Sequence, residues 1–153
     1  MKNYKKILIF VLLISLLFIT SCDNTNNNND NNNKIPEKLL IYSINDFHGA
    51  IEETDSAYGA ARISGFVKNS IEENADAATL VISSGDMFQG SAISNHTRGK
   101  IVVDIMNEIG YDAMTLGNHE FDWELSTVLK YRDGDLTNGE ANFPFLGCNI
   151  IEK

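Results

Sequence analysis

Apolar residues follow two alternating rhythms along the chain. Leu39-Leu40-Ile41-Tyr42-Ser43-Ile44 is a short unbroken run rich in strand formers that stops at Asn45, which predicts a buried strand. From Ala60 to Asn74 the rhythm changes. Ile63, Phe66, Val67 and Ile71 recur at helical spacing while Lys68, Glu72 and Glu73 supply a wet face, which predicts a helix. Leu80-Val81-Ile82-Ser83 restores the strand pattern, and Ile101, Val102, Ile105, Met106 and Ile109 mark a second helix closed by Gly110. A third strand is expected at Asp112 to Leu116 and a short helix around Leu125 to Lys130. A polar loop follows from Arg132 to Asn142, then a fourth strand from Phe143 to Cys148. Strand and helix in alternation predict an α/β fold with a largely parallel sheet.

A different pattern precedes the first strand. Lys2, Lys5 and Lys6 are followed by an uncharged apolar run from Ile7 to Ile19 and then by Thr20, Ser21 and Cys22, the order of an export signal. The run holds 13 residues, against about 20 for a bilayer-spanning helix, which favours a cleaved signal over a permanent span. Ile19-Thr20-Ser21-Cys22 resembles the bacterial lipobox. That resemblance implies a lipid on Cys22 and attachment to the extracytoplasmic face of the cell membrane. Residues 1–22 are thus expected to be a lipoprotein signal peptide, 23–33 a disordered tether and 34–153 the folded part. The stretch 23–33 is nearly all Asn with Asp and Thr, too poor in apolar groups to offset the entropy of ordering. As a flexible coil its reach is about 20 Å.

Composition narrows the partners. The formal net charge is −9, and removing the signal takes away three lysines and no acid, leaving 9 cations against 21 anions, a balance of −12. Such a chain repels nucleic acid, so no nucleic-acid partner is expected. A phosphate-bearing small substrate is compatible with the acidity, because carboxylates that hold divalent cations become part of a locally positive site. With Cys22 lipidated, Cys148 has no partner for an internal disulfide.

Three of the predicted strands run into residues with metal-ligand chemistry. The first leads to Asn45-Asp46-Phe47-His48-Gly49, the second to Ser84-Gly85-Asp86 and the third to Gly117-Asn118-His119-Glu120-Phe121-Asp122. In open α/β sheets, sites form beyond the carboxyl ends of the strands, so these loops are expected to converge on one crevice. Asp46 and His48, two apart at a strand end, are expected to point to the same side and grip one cation through an oxygen and a nitrogen. Gly85-Asp86 alone is an ordinary turn pair. Gly117 permits a sharp bend, and Asp122 is near enough to hold the His119 imidazole in one tautomer. Singly, each block is matched by chance. Three strand ends that all offer ligands favour a metal site over a generic α/β binding domain.

These blocks resemble the first three signatures of the calcineurin-like metallophosphoesterases, with wording closest to the 5'-nucleotidase branch. Gly59-Ala60-Ala61-Arg62, the region from Ser94 to Tyr111 leading into Asp112-Ala113-Met114-Thr115-Leu116, and Phe143-Pro144-Phe145-Leu146 agree with that branch. The resemblance covers essentially everything after the tether. It implies the N-terminal half of a β-sandwich flanked by helices, with the metal site at the strand C-terminal ends. It also implies two divalent cations: Asp46 and His48 on the first, Asp86 bridging both, Asn118 on the second. His119, held by Asp122, would act on the phosphoryl group rather than on metal, and Glu120 and Phe121 would be scaffold. Carboxylate, amide and imidazole together suit manganese, zinc, iron or cobalt. The implied activity is hydrolysis of phosphate esters, nucleoside 5'-phosphates foremost, which would supply nucleoside and phosphate for uptake. A non-catalytic surface lipoprotein that keeps a metal site is the alternative.

The departure lies at the other end. Members of the family supply further histidine ligands from a Gly-His block and a Gly-His-x-His block, and neither is present in these 153 residues. The remaining histidine, His96, sits in the polar stretch Ser94-Asn95-His96-Thr97-Arg98 and is read as an exposed loop residue outside the site. The first cation would have three protein ligands and the second only Asp86 and Asn118. The sheet would also lack the strands that cover its other face. The expectation is a truncated or split form of a longer enzyme, its C-terminal half encoded downstream, that folds poorly and hydrolyses little by itself.

Overall fold

In the computed structural model, the chain runs through β1 (Leu39–Ser43), α1 (Gly59–Glu73), β2 (Ala78–Ser83), α2 (Ala92–Thr97), α3 (Lys100–Ile109) and β3 (Ala113–Thr115). A 3-10 turn (His119–Phe121), α4 (Leu125–Leu129), a second 3-10 turn (Lys130–Arg132) and β4 (Phe145–Leu146) complete it. The structure describes residues 35–151; the signal-peptide, Cys22 lipobox and tether readings fall outside the described residues. All four strands are parallel and lie in chain order, β1-β2-β3-β4. The fold is α/β with a parallel sheet, as the alternating pattern predicts.

The register decides which side chains share a face. Tyr42 pairs with Val81, Ser83 with Met114 and Met114 with Phe145, and this face is covered. Val81, Met114 and Phe145 are buried there with Val67 of α1 and Val102, Val103 and Met106 of α3. Tyr42 donates its hydroxyl hydrogen bond to Ser70 of α1 at 2.8 Å. Each fully buried valine or methionine of this set contributes about 1.5–3 kcal/mol of transfer free energy. Helix α3 ends where Gly110 turns left-handed at φ 90° and its N–H caps the Met106 carbonyl.

On the opposite face Ile41 pairs with Leu80, Ile82 with Ala113 and Thr115 with Leu146. Leu39, Ile41 and Leu146 there are 59%, 57% and 47% exposed. A strand order that advances one step at a time, with right-handed crossovers, sends each connection over the same side. Among the described residues nothing covers the second, apolar face.

Two elements differ from the sequence expectation. The polar stretch around His96, expected as a loop, is the short helix α2, with His96 exposed on it. It has no apolar period to betray it; the Ser91 hydroxyl caps it by accepting from the Ser94 N–H at 3.3 Å. The fourth strand is two residues rather than six, because Pro144 has no N–H to give the ladder and only its carbonyl is used, by Met114.

Candidate metal centre

The loops after β1 and β2 are fastened to each other by backbone. Asp46 N–H donates to the Gly85 carbonyl at 3.2 Å, His48 N–H to that of Asp86 at 3.1 Å and Gly49 N–H to that of Met87 at 2.9 Å. The Asn45 side chain adds a fourth tie by accepting from the Ser84 N–H at 3.0 Å. Among the described residues, five that are not glycine have positive φ, and three of them are Asp46, His48 and Asp86, at 51°, 51° and 56°. Left-handed backbone costs an L-residue on the order of 1–2 kcal/mol. It is concentrated in these loops and offset by the ties between them.

The loop after β3 closes against the same point. A Cβ on Gly85, where φ is 105°, would lie 2.3 Å from the Gly117 nitrogen. A Cβ on Gly117 would lie 2.3 Å from Asp86 Oδ1. Only a pair of glycines lets the two strand ends approach this closely. The His119 N–H then reaches Asp86 Oδ1 at 3.0 Å.

The outcome is a trio. His48, Asp86 and His119 are each partly buried and offer ligand atoms that all lie within 4.8 Å of one another. The two imidazoles meet edge to face, ring centres 5.0 Å apart. His48 Nδ1 is 2.7 Å from the Gln89 carbonyl, which can only accept, so Nδ1 donates and Nε2 is the nitrogen left for the site. His119 Nδ1 is held by Asp122 Oδ2 at 2.8 Å, which leaves its Nε2 free as well. The His48 imidazole nitrogen and the Asp86 carboxylate, with His119 beside them, suit a manganese, zinc, iron or cobalt ion better than calcium, which prefers an all-oxygen shell.

Not every expected ligand joins this trio. Asp46 is exposed and stands outside it. The backbone turns left-handed at Asp46 and again at His48, so the regular strand ends there. Asn118 is exposed at the head of the 3-10 turn that carries His119. The orienting role of Gln89 is invisible in sequence, since it is played by a backbone carbonyl. A groove of about 710 Å³ lies elsewhere: Ile41, Tyr42, Ile44, Tyr58 and Phe66 line it between β1 and α1, and no member of the trio does.

Electrostatics set the protonation of His119. The hydrogen bond that His119 Nδ1–H donates to Asp122 raises its pKa above the usual imidazole value, desolvation opposes this, and the charges of Asp122, Asp86 and Glu120 add to the rise. A raised folded-state value means that the proton is held to higher pH, and that the associated stability is present below the unfolded pKa and lost as pH rises through the folded one. In metal-free protein, the His119 midpoint followed by NMR is expected above 6.5 and lower in Asp122→Asn than in the parent. An unchanged midpoint in that variant would remove Asp122 as the cause.

The family model for calcineurin-like phosphoesterases matches residues 39–150. The chain belongs to that family. Among curated proteins it is 35% identical over 126 residues to snake venom 5'-nucleotidase of Gloydius brevicauda, covering 76% of this chain and 20% of that one. It is 35% identical over 127 residues to 5'-nucleotidase of Bos taurus (77% and 21%) and 34% identical over 119 residues to that of Vibrio parahaemolyticus (76% and 20%). Among solved structures, a candidate 5'-nucleotidase of Staphylococcus aureus superposes with TM-score 0.51 at 28% identity, over 70% of this chain and 22% of that one. The NAD nucleotidase of Haemophilus influenzae shares the fold, with TM-score 0.59 at 24% identity, over 70% and 20%. The chain spans about a fifth of the length of the curated relatives it matches.

Proposed function

We propose that this chain carries the front half of the catalytic site of a phosphate-ester hydrolase that acts on nucleoside 5'-phosphates outside the cytoplasm, tethered through a lipid on Cys22. The observation that carries the reading is the His48, Asp86 and His119 trio, with both imidazoles pinned through Nδ1. Family membership and the names of the relatives support the substrate class.

In this reading Asp46, His48, Asp86 and Asn118 would hold two divalent ions. When bound, such ions lower the pKa of a water and neutralise phosphoryl oxygens during in-line attack. The protein's own groups orient and move protons. The Gln89 carbonyl holds His48 through Nδ1 and turns Nε2 toward the site as the ligand atom. Asp122 favours a protonated His119, which has no lone pair for a metal and donates from Nε2 to a phosphoryl oxygen or to the departing alkoxide. No covalent phosphoenzyme is required.

The test has two parts on the full chain. Calorimetric titration with Mn²⁺ is expected to show binding, and His119→Ala to retain it. Phosphate release from a nucleoside 5'-monophosphate is expected to be weak for this chain alone, to rise on mixing with a segment bearing the two further histidine blocks, and to fall by about 10²-fold in His119→Ala. Absence of Mn²⁺ uptake would sink the metal reading. Binding with no turnover in any mixture would favour the non-catalytic surface lipoprotein, a reading that the exposed Asp46 outside the trio also suits. For the anchor, Cys22→Ser is expected to move the expressed protein from the detergent phase to the aqueous phase; equal partition of both would end the lipid assignment.

A further inference from the structure

Glu120 is fully buried, and among the described residues no cation pairs with it. Its carboxylate is instead satisfied by four backbone N–H groups. Oε2 accepts from Asp86 at 2.9 Å and Gly117 at 2.7 Å, and Oε1 from Met87 at 2.8 Å and Phe88 at 3.3 Å. An anion held out of water costs several kcal/mol unless its lone pairs are met, and here the donors come from two different loops. The left-handed turn at Asp86 aims successive N–H groups at one point, a concavity suited to a negative charge.

The two neighbours in the 3-10 turn grip Asp86 from both ends. Glu120 takes the Asp86 backbone N–H with its carboxylate, and His119 gives its own N–H to the Asp86 carboxylate at 3.0 Å. One carboxylate oxygen of Asp86 is thereby fixed and the other left free. The clamp also sets the spacing of the Gly85 and Gly117 loops on which His119 rides. We infer that Glu120 is a positioning residue: without touching metal, it holds the Asp86 carboxylate and the His119 loop in the arrangement that binds it. The inference rests on the metal reading of the trio and extends it to a residue that offers no ligand atom.

Mn²⁺ affinity of the full chain, measured by calorimetry well below the thermal midpoint, tests it. Glu120→Gln keeps the shape but turns one acceptor into a donor facing backbone donors. It is expected to remain folded by circular dichroism and to bind about 10–100-fold more weakly, the cost typical of losing an outer partner of a ligand. Val103→Ala, a core truncation in the middle of α3, is expected to lose stability and keep the parent affinity. Parent affinity in Glu120→Gln, or an equal loss in Val103→Ala, would overturn the positioning role while leaving the metal site standing. Failure of the parent chain to bind Mn²⁺ would instead overturn the reading beneath it. Should Glu120→Gln not fold, Glu120→Asp decides: its carboxylate is one methylene short of the four donors, so weakened binding supports the role and unchanged binding ends it.

Discussion

Gly85→Ala is expected to lower the free energy of unfolding by about 2–5 kcal/mol. At φ 105° an alanine is strained whatever the space around it, at a cost of about 1–2 kcal/mol. Its Cβ would also fall 2.3 Å from the Gly117 nitrogen, 2.7 Å from the Gly117 Cα and 3.1 Å from the Leu116 carbonyl carbon. All three atoms are backbone, so no side chain can swing aside, and forced overpacking adds about 1–3 kcal/mol. Urea titration should show a lower midpoint with an unchanged slope. Gly65→Ala is the control. That glycine lies inside α1 with nothing within 4 Å of the added carbon, and the change should stabilise by about 0.5–1 kcal/mol. A Gly85→Ala protein within 0.5 kcal/mol of the parent, a difference typical of an innocuous surface change, would mean that the two strand ends do not meet as described.

Asp86→Ala should abolish metal binding in a chain that still folds. Asp86 is the one carboxylate in the trio and is only half-buried. It supplies little packing, and its removal leaves the Gly85 and Gly117 backbone in place. Losing an outer partner of a ligand already costs about 10–100-fold in affinity, so losing the ligand itself should exceed that range. Any hydrolysis by the chain should fall to background. The His119 N–H loses its acceptor as well, worth about 1–3 kcal/mol if left unmet, so a modest drop in thermal midpoint should accompany the loss. Mn²⁺ binding at parent strength in this variant would show that the trio is not where the ion sits.

Much of the fold was legible because its elements carry their own period. The β1 run, the helical spacing of Ile63, Phe66, Val67 and Ile71 in α1, and the glycine that ends α3 all act within a few residues of the positions that announce them. Helix α2 was missed because a serine cap and the Phe88 carbonyl, which accepts from the Ser94 hydroxyl, stabilise it in place of an apolar stripe. At the site, convergence of three strand ends was readable from sequence, since a parallel sheet sends every strand's end the same way. The left-handed turns at Asp46 and His48, which end the strand's alternation, were not. The supports around the trio were equally hidden. The Gln89 carbonyl and the N–H groups that Glu120 collects are backbone atoms, which every residue possesses and no motif displays.

The simple order of the sheet has a consequence for synthesis. Since each strand docks beside the one made just before it, no strand must wait for a distant partner. A nascent chain can lay the sheet down in the order in which it leaves the ribosome, each pairing closing a crossover of 31–39 residues. The trio assembles in the same sequence: His48 first, Asp86 when β2 pairs, His119 once β3 is in place. Until β4 docks, the growing edge of the sheet stays open to the next strand of this chain.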